Sequence, residues 1–200
     1  MRELRLPLPL RLPLRTDRLV LRRFEAGDLE AYHAYHSLPE TARFLPGDAK
    51  SYTQSMELVG RYANFAFGRE GDWVCLAVEA ADAPGLLGEV VLKWLPGRGQ
   101  AEIGWSLAPA ARGRGIGTEA AGALLRLGFE ELGFHRIEAR LDALNTASAA
   151  LCERLGMRLE STQVDKWHYK GRWATEVVYA VLAQEWAREW KARQAQSPAT

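Results

Sequence analysis

With 200 residues, 48% hydrophobic, 26% charged and a net charge of +1, the chain suits a single globular domain. It carries no broad basic surface for nucleic acid. No stretch is long and apolar enough to span a bilayer, and residues 1–7 are broken by Arg and Pro where a signal peptide needs an apolar core. The two cysteines, Cys75 and Cys152, lie far apart and form no metal-spaced pair. That argues against a disulfide framework or a metal site and points to a reducing cytoplasm.

Leucine occupies every even position from Leu4 to Leu14, a period of two that predicts an extended arm over residues 1–16. Pro7, Pro9 and Pro13 confine the arm to a sheet edge or a polyproline-like path, covering its own domain or reaching a second copy in a homodimer. Residues 18–24 read as the first strand, and Asp28 stands in capping position before a helix over 29–37. A second helix is expected over 51–67. Strands over 73–79 and 88–94 flank the turn-rich Asp82-Ala83-Pro84-Gly85, and a strand over 101–107 follows the Gly97-Arg98-Gly99 turn. Ile116, Ala120, Leu124 and Leu127 form the apolar stripe of a helix over 115–131 that Gly133 ends. A strand over 135–141, a short helix over 146–155 stopped by Gly156, and strands over 158–162 and 173–182 complete the domain at about residue 183. Trp186 and Trp190, one turn apart, mark a docking face on a helix within residues 184–200. Meandering strands around one strand–helix–strand unit predict an α/β fold with a mixed sheet.

Residues 112–118 carry the clearest chemical signal: Arg112-Gly113-Arg114-Gly115-Ile116-Gly117-Thr118. Glycines let backbone approach a ligand closely, and a helix start offers unpaired N–H groups and a positive dipole end. Together with two arginines this is a cradle for phosphate. A P-loop fails because Thr118 and Glu119, not Lys and Ser/Thr, follow Gly117. A dinucleotide fingerprint begins with Gly113-x-Gly115, and Asp142 stands where its ribose-binding acid would. Its third glycine position is Thr118, however, and Pro109-Ala110-Ala111 separates strand from glycines.

The remaining pattern, R-x-x-G-x-G at Arg112, Gly115 and Gly117, resembles the pyrophosphate signature of the GNAT superfamily of N-acetyltransferases. The similarity covers nearly the whole chain. Residues 14–22 resemble the opening strand of the RimJ/RimL-type branch, and Ala101-Glu102-Ile103-Gly104-Trp105-Ser106-Leu107 resembles its cofactor strand. Residues 127–139 resemble its helix-to-strand passage. Asn145-Thr146-Ala147-Ser148 and Leu155-Gly156-Met157 resemble its N-x-x-S segment and the Leu-Gly-aromatic that follows, with Met157 in place of Phe. The resemblance implies a splayed, mostly antiparallel central sheet flanked by helices, and acetyl-CoA as co-substrate with no metal. It implies that backbone of Trp105, Ser106 and Leu107 holds the pantetheine. The amides of Arg112, Gly113, Arg114, Gly115, Ile116, Gly117 and Thr118 would cradle the pyrophosphate. Asn145 would touch the pantetheine arm, cap the next helix, or do both.

Acetyl transfer to an amine needs a base for the ammonium, donors for the oxyanion and a proton for the leaving thiolate. Glu102 is the first candidate base, matching the base glutamate of the histone-acetylating GNAT branch within the same Ala-Glu-Ile. It shares a strand face with Gly104 and Ser106 by period two. Glu89 is the second candidate. Ser148 is the candidate acid, ahead of Cys152, with Tyr169 and Tyr179 as further donors. Aromatic and imidazole groups at His33, Tyr35, His36, Tyr62, Phe65, Trp167, His168 and Trp173 either enclose the acceptor or belong to the core. The acceptor expected from the RimJ/RimL resemblance is a protein N-terminal amine, as on a ribosomal protein. A small-molecule amine and a non-catalytic acyl-CoA-binding protein are the alternatives.

Overall fold

The computed structural model describes residues 10–188 other than 46 and 98. The first nine residues, Arg98 and Trp190 therefore lie outside the described part. One eight-stranded sheet runs through the molecule in the order β1-β2-β3-β4-β5-β6-β8-β7. Its strands are β1 (Leu14–Arg15), β2 (Leu19–Arg22), β3 (Trp73–Ala80), β4 (Leu86–Leu95), β5 (Gln100–Leu107), β6 (Arg136–Asp142), β7 (Arg158–Tyr169) and β8 (Arg172–Leu182). Every neighbouring pair is antiparallel except β5 with β6. That parallel pair is joined through α4 (Ile116–Arg126), the crossover that parallel strands require. The helices α1 (Leu29–His36), α2 (Pro39–Ala42), α3 (Tyr52–Ala63) and α5 (Thr146–Arg154) complete the fold.

β3 reads as an unbroken apolar run because both of its faces are covered. Val74, Leu76 and Val78 join a core with Val90, Leu92, Ile103 and the α4 stripe of Ile116, Ala120 and Leu124. Cys75 and Ala77 face the other way, onto Tyr32, Tyr35 and Val59 of α1 and α3. Each large aliphatic side chain in the first core contributes about 1.5–3 kcal/mol through burial, which fixes α4 against the sheet. α4 continues into a wider π-type turn, Leu127–Glu131, before Gly133.

The arm keeps its period of two in the described part: Leu10, Leu12 and Leu14 pack on the core while Arg11, Pro13 and Arg15 are exposed. Ser51 caps α3 by accepting from the Gln54 amide, but that helix ends at Ala63, short of the expected Phe67. Asp28 precedes α1 without capping it. Its carboxylate is taken by Arg22, at 2.8 Å, and by the Glu25 amide. β7 and β8 form a much longer hairpin than the expected strand over 158–162. The stretch 163–169 is polar and aromatic on an edge strand, with no apolar alternation to reveal it. The Lys170 ammonium, next to the hairpin turn, donates to the Ala42 and Leu45 carbonyls at the end of α2. The helix that begins at residue 183 buries Trp186 against Phe129.

Candidate active site

The strand order places an opening in the middle of the sheet. β5 and β6 pair only at Gln100–Arg136, Ala101–Ile137 and Glu102–Glu138. Beyond Glu102, β5 stays laddered to β4 as far as Leu107, while β6 follows β8. The β6-side edge of residues 103–107 therefore has no ladder partner and faces a gap. The Trp105 indole N–H reaches toward α5 and donates to the Ser148 hydroxyl oxygen at 3.2 Å.

On the α4 side lies a cleft of about 530 Å³. Trp105, Ser106, Leu107, Arg112, Gly113, Gly115, Gly117, Thr118, Asn145 and Ser148 all line it. Gly115 caps α4 in the left-handed region, at φ +77°, with no side-chain cap over the first-turn amides. A Cβ at Gly117 would lie 2.8 Å from Leu151 Cδ1 and 3.3 Å from Leu107 Cδ1. Glycine at 117 thus lets Leu107 and Leu151 pack against the first turn of α4, and the helix N-terminus lined by Gly113, Gly115 and Gly117 fits a phosphate-bearing ligand. Beside it, the unladdered β5 edge fits a chain carrying amide groups.

Four of these side chains have definite places. Arg112 is no free phosphate clamp: its guanidinium donates to the Leu107 carbonyl and the Thr41 hydroxyl, both at 3.0 Å, and so pins α2 over the end of β5. Arg114 is exposed and Ile116 is buried in the core, so their side chains do not line the cleft. The Asn145 carboxamide oxygen accepts from the Ser148 amide at 3.2 Å, which is the capping role expected of it. Arg154 also lines the cleft, its Nε 3.3 Å from Thr118 Oγ1. Sequence reading missed it, although Ala147, Leu151 and Arg154 follow the i, i+4, i+7 spacing of one helix face.

A second cleft, of about 550 Å³, meets the first at Leu45, Trp105 and Ser106. Its floor is the α1/α3 face of β4 and β5, where Glu89 stands opposite Ser106, Val91 opposite Gly104 and Lys93 opposite Glu102. Trp73 is a further wall residue. Both candidate carboxylates are thus in one cleft. Burial raises the Glu102 pKa against the pull of Lys93 and Arg140, with Glu138 and Glu176 adding to the rise. Glu89 is almost wholly buried; the Tyr35 hydroxyl donates to one oxygen, and His36 Nε2 lies 2.8 Å from the other.

Among the candidate acids, Cys152 is fully buried, and burial pushes its thiol up to about 12. Tyr169 donates to Asp142 at 2.6 Å, and burial together with that carboxylate pushes it up to about 12. Tyr179 is buried and its hydroxyl is likewise raised. Asp142, the acid that a dinucleotide site would need, is held by Tyr169, Arg172 and the Leu144 amide. Tyr35 and His36 surround Glu89, whereas Trp167 and Trp173 are exposed on the hairpin.

A parallel pair that parts in mid-sheet, with a glycine-capped helix at its mouth, agrees with what comparison finds. Residues 18–158 match the family model of the acetyltransferase (GNAT) domain. The chain belongs to the GNAT acetyltransferase family. It is 31% identical over 173 residues, 86% of its length and 97% of the relative's, to a Bacillus subtilis (strain 168) protein named uncharacterized N-acetyltransferase YnaD. The solved structure of a GNAT-family acetyltransferase from Bacillus anthracis superposes with a TM-score of 0.79 at 29% identity, covering 86% of this chain and 99% of that one. A Vibrio cholerae spermidine N-acetyltransferase in complex with CoA and spermine shares the fold, with a TM-score of 0.72, 22% identity and coverage of 86% and 99%. The enzyme is an acetyl-CoA-dependent N-acetyltransferase.

Proposed function

We propose that this acetyltransferase acetylates a protein N-terminal amine by direct attack within a ternary complex. The observation that carries the reading is the meeting of two clefts at Trp105 and Ser106. One has the backbone chemistry for a phosphate-bearing cofactor and the other has carboxylates for an amine. Acetyl-CoA brings an activated thioester. The first-turn amides of α4 hold the pyrophosphate, and the unladdered backbone of residues 103–107 holds the pantetheine amides. Glu102 takes the proton that the ammonium must lose, directly or through one water. Its raised pKa brings that base closer to neutral pH. Ser148, whose oxygen already accepts from Trp105, keeps its own hydroxyl proton available to a departing thiolate.

The surface around the cleft favours a polypeptide acceptor over an enclosed small amine. By strand register, Glu102, Glu138, Arg140, Val178, Glu176 and Trp167 share one face of the sheet. Trp167 there is 54% exposed, and its indole donates to Glu176 at 3.2 Å. An extended chain leaving the cleft would meet alternating charge and an aromatic plane. The test is thiol release from acetyl-CoA with free-amine peptides set against a panel of small amines. Turnover confined to small amines refutes the peptide reading. Gly115→Trp, which fills the glycine cradle, should abolish CoA binding; undiminished CoA affinity would remove the loop from the cofactor site.

A further inference from the structure

Glu89 is a buried carboxylate to which the reading above gives no task. It is 6% exposed on β4, opposite Ser106, and lines the acceptor cleft. The titratable groups facing it are Tyr32, Tyr35 and His36 from α1, Tyr62 from α3 and Cys75 from β3. Burial and this carboxylate push Tyr35 and Cys75 well up, so both stay neutral near physiological pH. Among the described residues, His36 is the group paired with Glu89 that can carry positive charge. A buried carboxylate without a fixed cation is costly, and a cationic guest in the cleft supplies the missing charge.

We infer that Glu89, oriented by Tyr35 and His36, is the ammonium-binding subsite of the acceptor cleft. The inference rests on the reading that this cleft takes an amine. Two carboxylate oxygens offer about four acceptor sites, so Glu89 can hold its two α1 partners and an ammonium together. Gly104 lies two residues along the paired strands from Glu89 and from Glu102, roughly 7 Å each way at the usual rise. A nitrogen over Gly104 is therefore within a side chain, or a side chain and one water, of both. Glu89 keeps it as ammonium and Glu102 takes its proton. His36 and Tyr35 are positioning residues, acting through Glu89.

The probe is a hexapeptide with a free N-terminus, compared with its N-formyl form, which cannot carry the charge. Binding to the CoA-loaded enzyme is measured by calorimetry near neutral pH, with peptide and acetyl-CoA KM values alongside. In wild type the free peptide should bind roughly tenfold better than the formyl peptide near neutrality. Glu89→Gln should erase the preference and raise the peptide KM about tenfold while the acetyl-CoA KM stays within about twofold. His36→Leu, which removes the imidazole from Glu89, should weaken the preference about threefold, and His36→Gln, which keeps an N–H donor, should retain it. The subsite is refuted if a folded Glu89→Gln keeps the wild-type preference. Should Glu89→Gln not fold, His36→Leu decides, and a wild-type preference in that variant overturns the subsite. If wild type acetylates no amine, the proposed function fails; the calorimetric preference and its loss in Glu89→Gln then still decide the subsite.

Discussion

Gly88→Ala tests the close approach of β4 to β5 at Leu107. Gly88 is buried on β4 opposite Leu107, at φ +156°. A Cβ there would lie 2.3 Å from the Ser106 carbonyl oxygen and 2.8 Å from Leu107 Cα. Ordinary contact begins about 1 Å further out, and the clashing atoms are main chain, so no rotamer change relieves them. The strands must part, at about 1–3 kcal/mol for overpacking, about 1 kcal/mol for each weakened ladder bond and about 1–3 kcal/mol for the backbone angle. The sum, about 3–7 kcal/mol, is a large share of a typical 5–15 kcal/mol stability. In a domain of this size it lowers Tm by roughly 10–20 °C. Gly104→Ala on β5 is the control. Its Cβ would meet nothing within 4 Å, so Tm should hold while the methyl group, at the floor of the acceptor cleft, raises the amine KM. Thermal melts of both variants under one buffer decide the matter. A Gly88→Ala melt within about 2 °C of wild type would refute the argument.

Glu102→Gln should lower kcat/KM by roughly 10²–10⁴ and remove its acidic limb, and an unchanged pH–rate profile would exclude Glu102 as base. The same variant bears on stability. The folded-state pKa of Glu102 is raised, so its contribution is complete below the unfolded value of about 4.3 and is lost as pH rises through the folded one. The variant should therefore melt higher than wild type at alkaline pH, with the difference vanishing in acid; a difference that does not change with pH counts against the burial argument. Asp142 has the opposite sign. Burial alone would raise its pKa, but Tyr169, the Leu144 amide and Arg172 outweigh that and hold it low. Its stabilisation is present above the unfolded value of about 3.9 and lost as pH falls through the folded value. Asp142→Asn should cost about 2 kcal/mol at neutral pH, a deficit in urea titrations that shrinks below about pH 4; equal deficits at both pH values would refute it.

Local chemistry alone carried much of this protein. Alternation along residues 10–15 and 101–107, the stripe Ile116-Ala120-Leu124-Leu127 and the glycines before it are properties of neighbouring residues, and each found its expected place. The segment 163–169 was illegible because an exposed edge strand has no buried face to impose alternation. Site roles depended on packing. Sequence could nominate Glu102 and Glu89, but the β4–β5 register is what puts both on one cleft floor. Arg112 reads in sequence as a charge for phosphate, and only the fold brings Thr41 of α2, some seventy residues earlier in the chain, to its guanidinium. Likewise, nothing near Glu89 in sequence announces Tyr35 and His36, which α1 delivers from more than fifty residues away. Period and capping are set by neighbours along the chain. Charge partners and the parting of β5 from β6 are set by which faces must be buried together, and that is decided only when the whole sheet assembles.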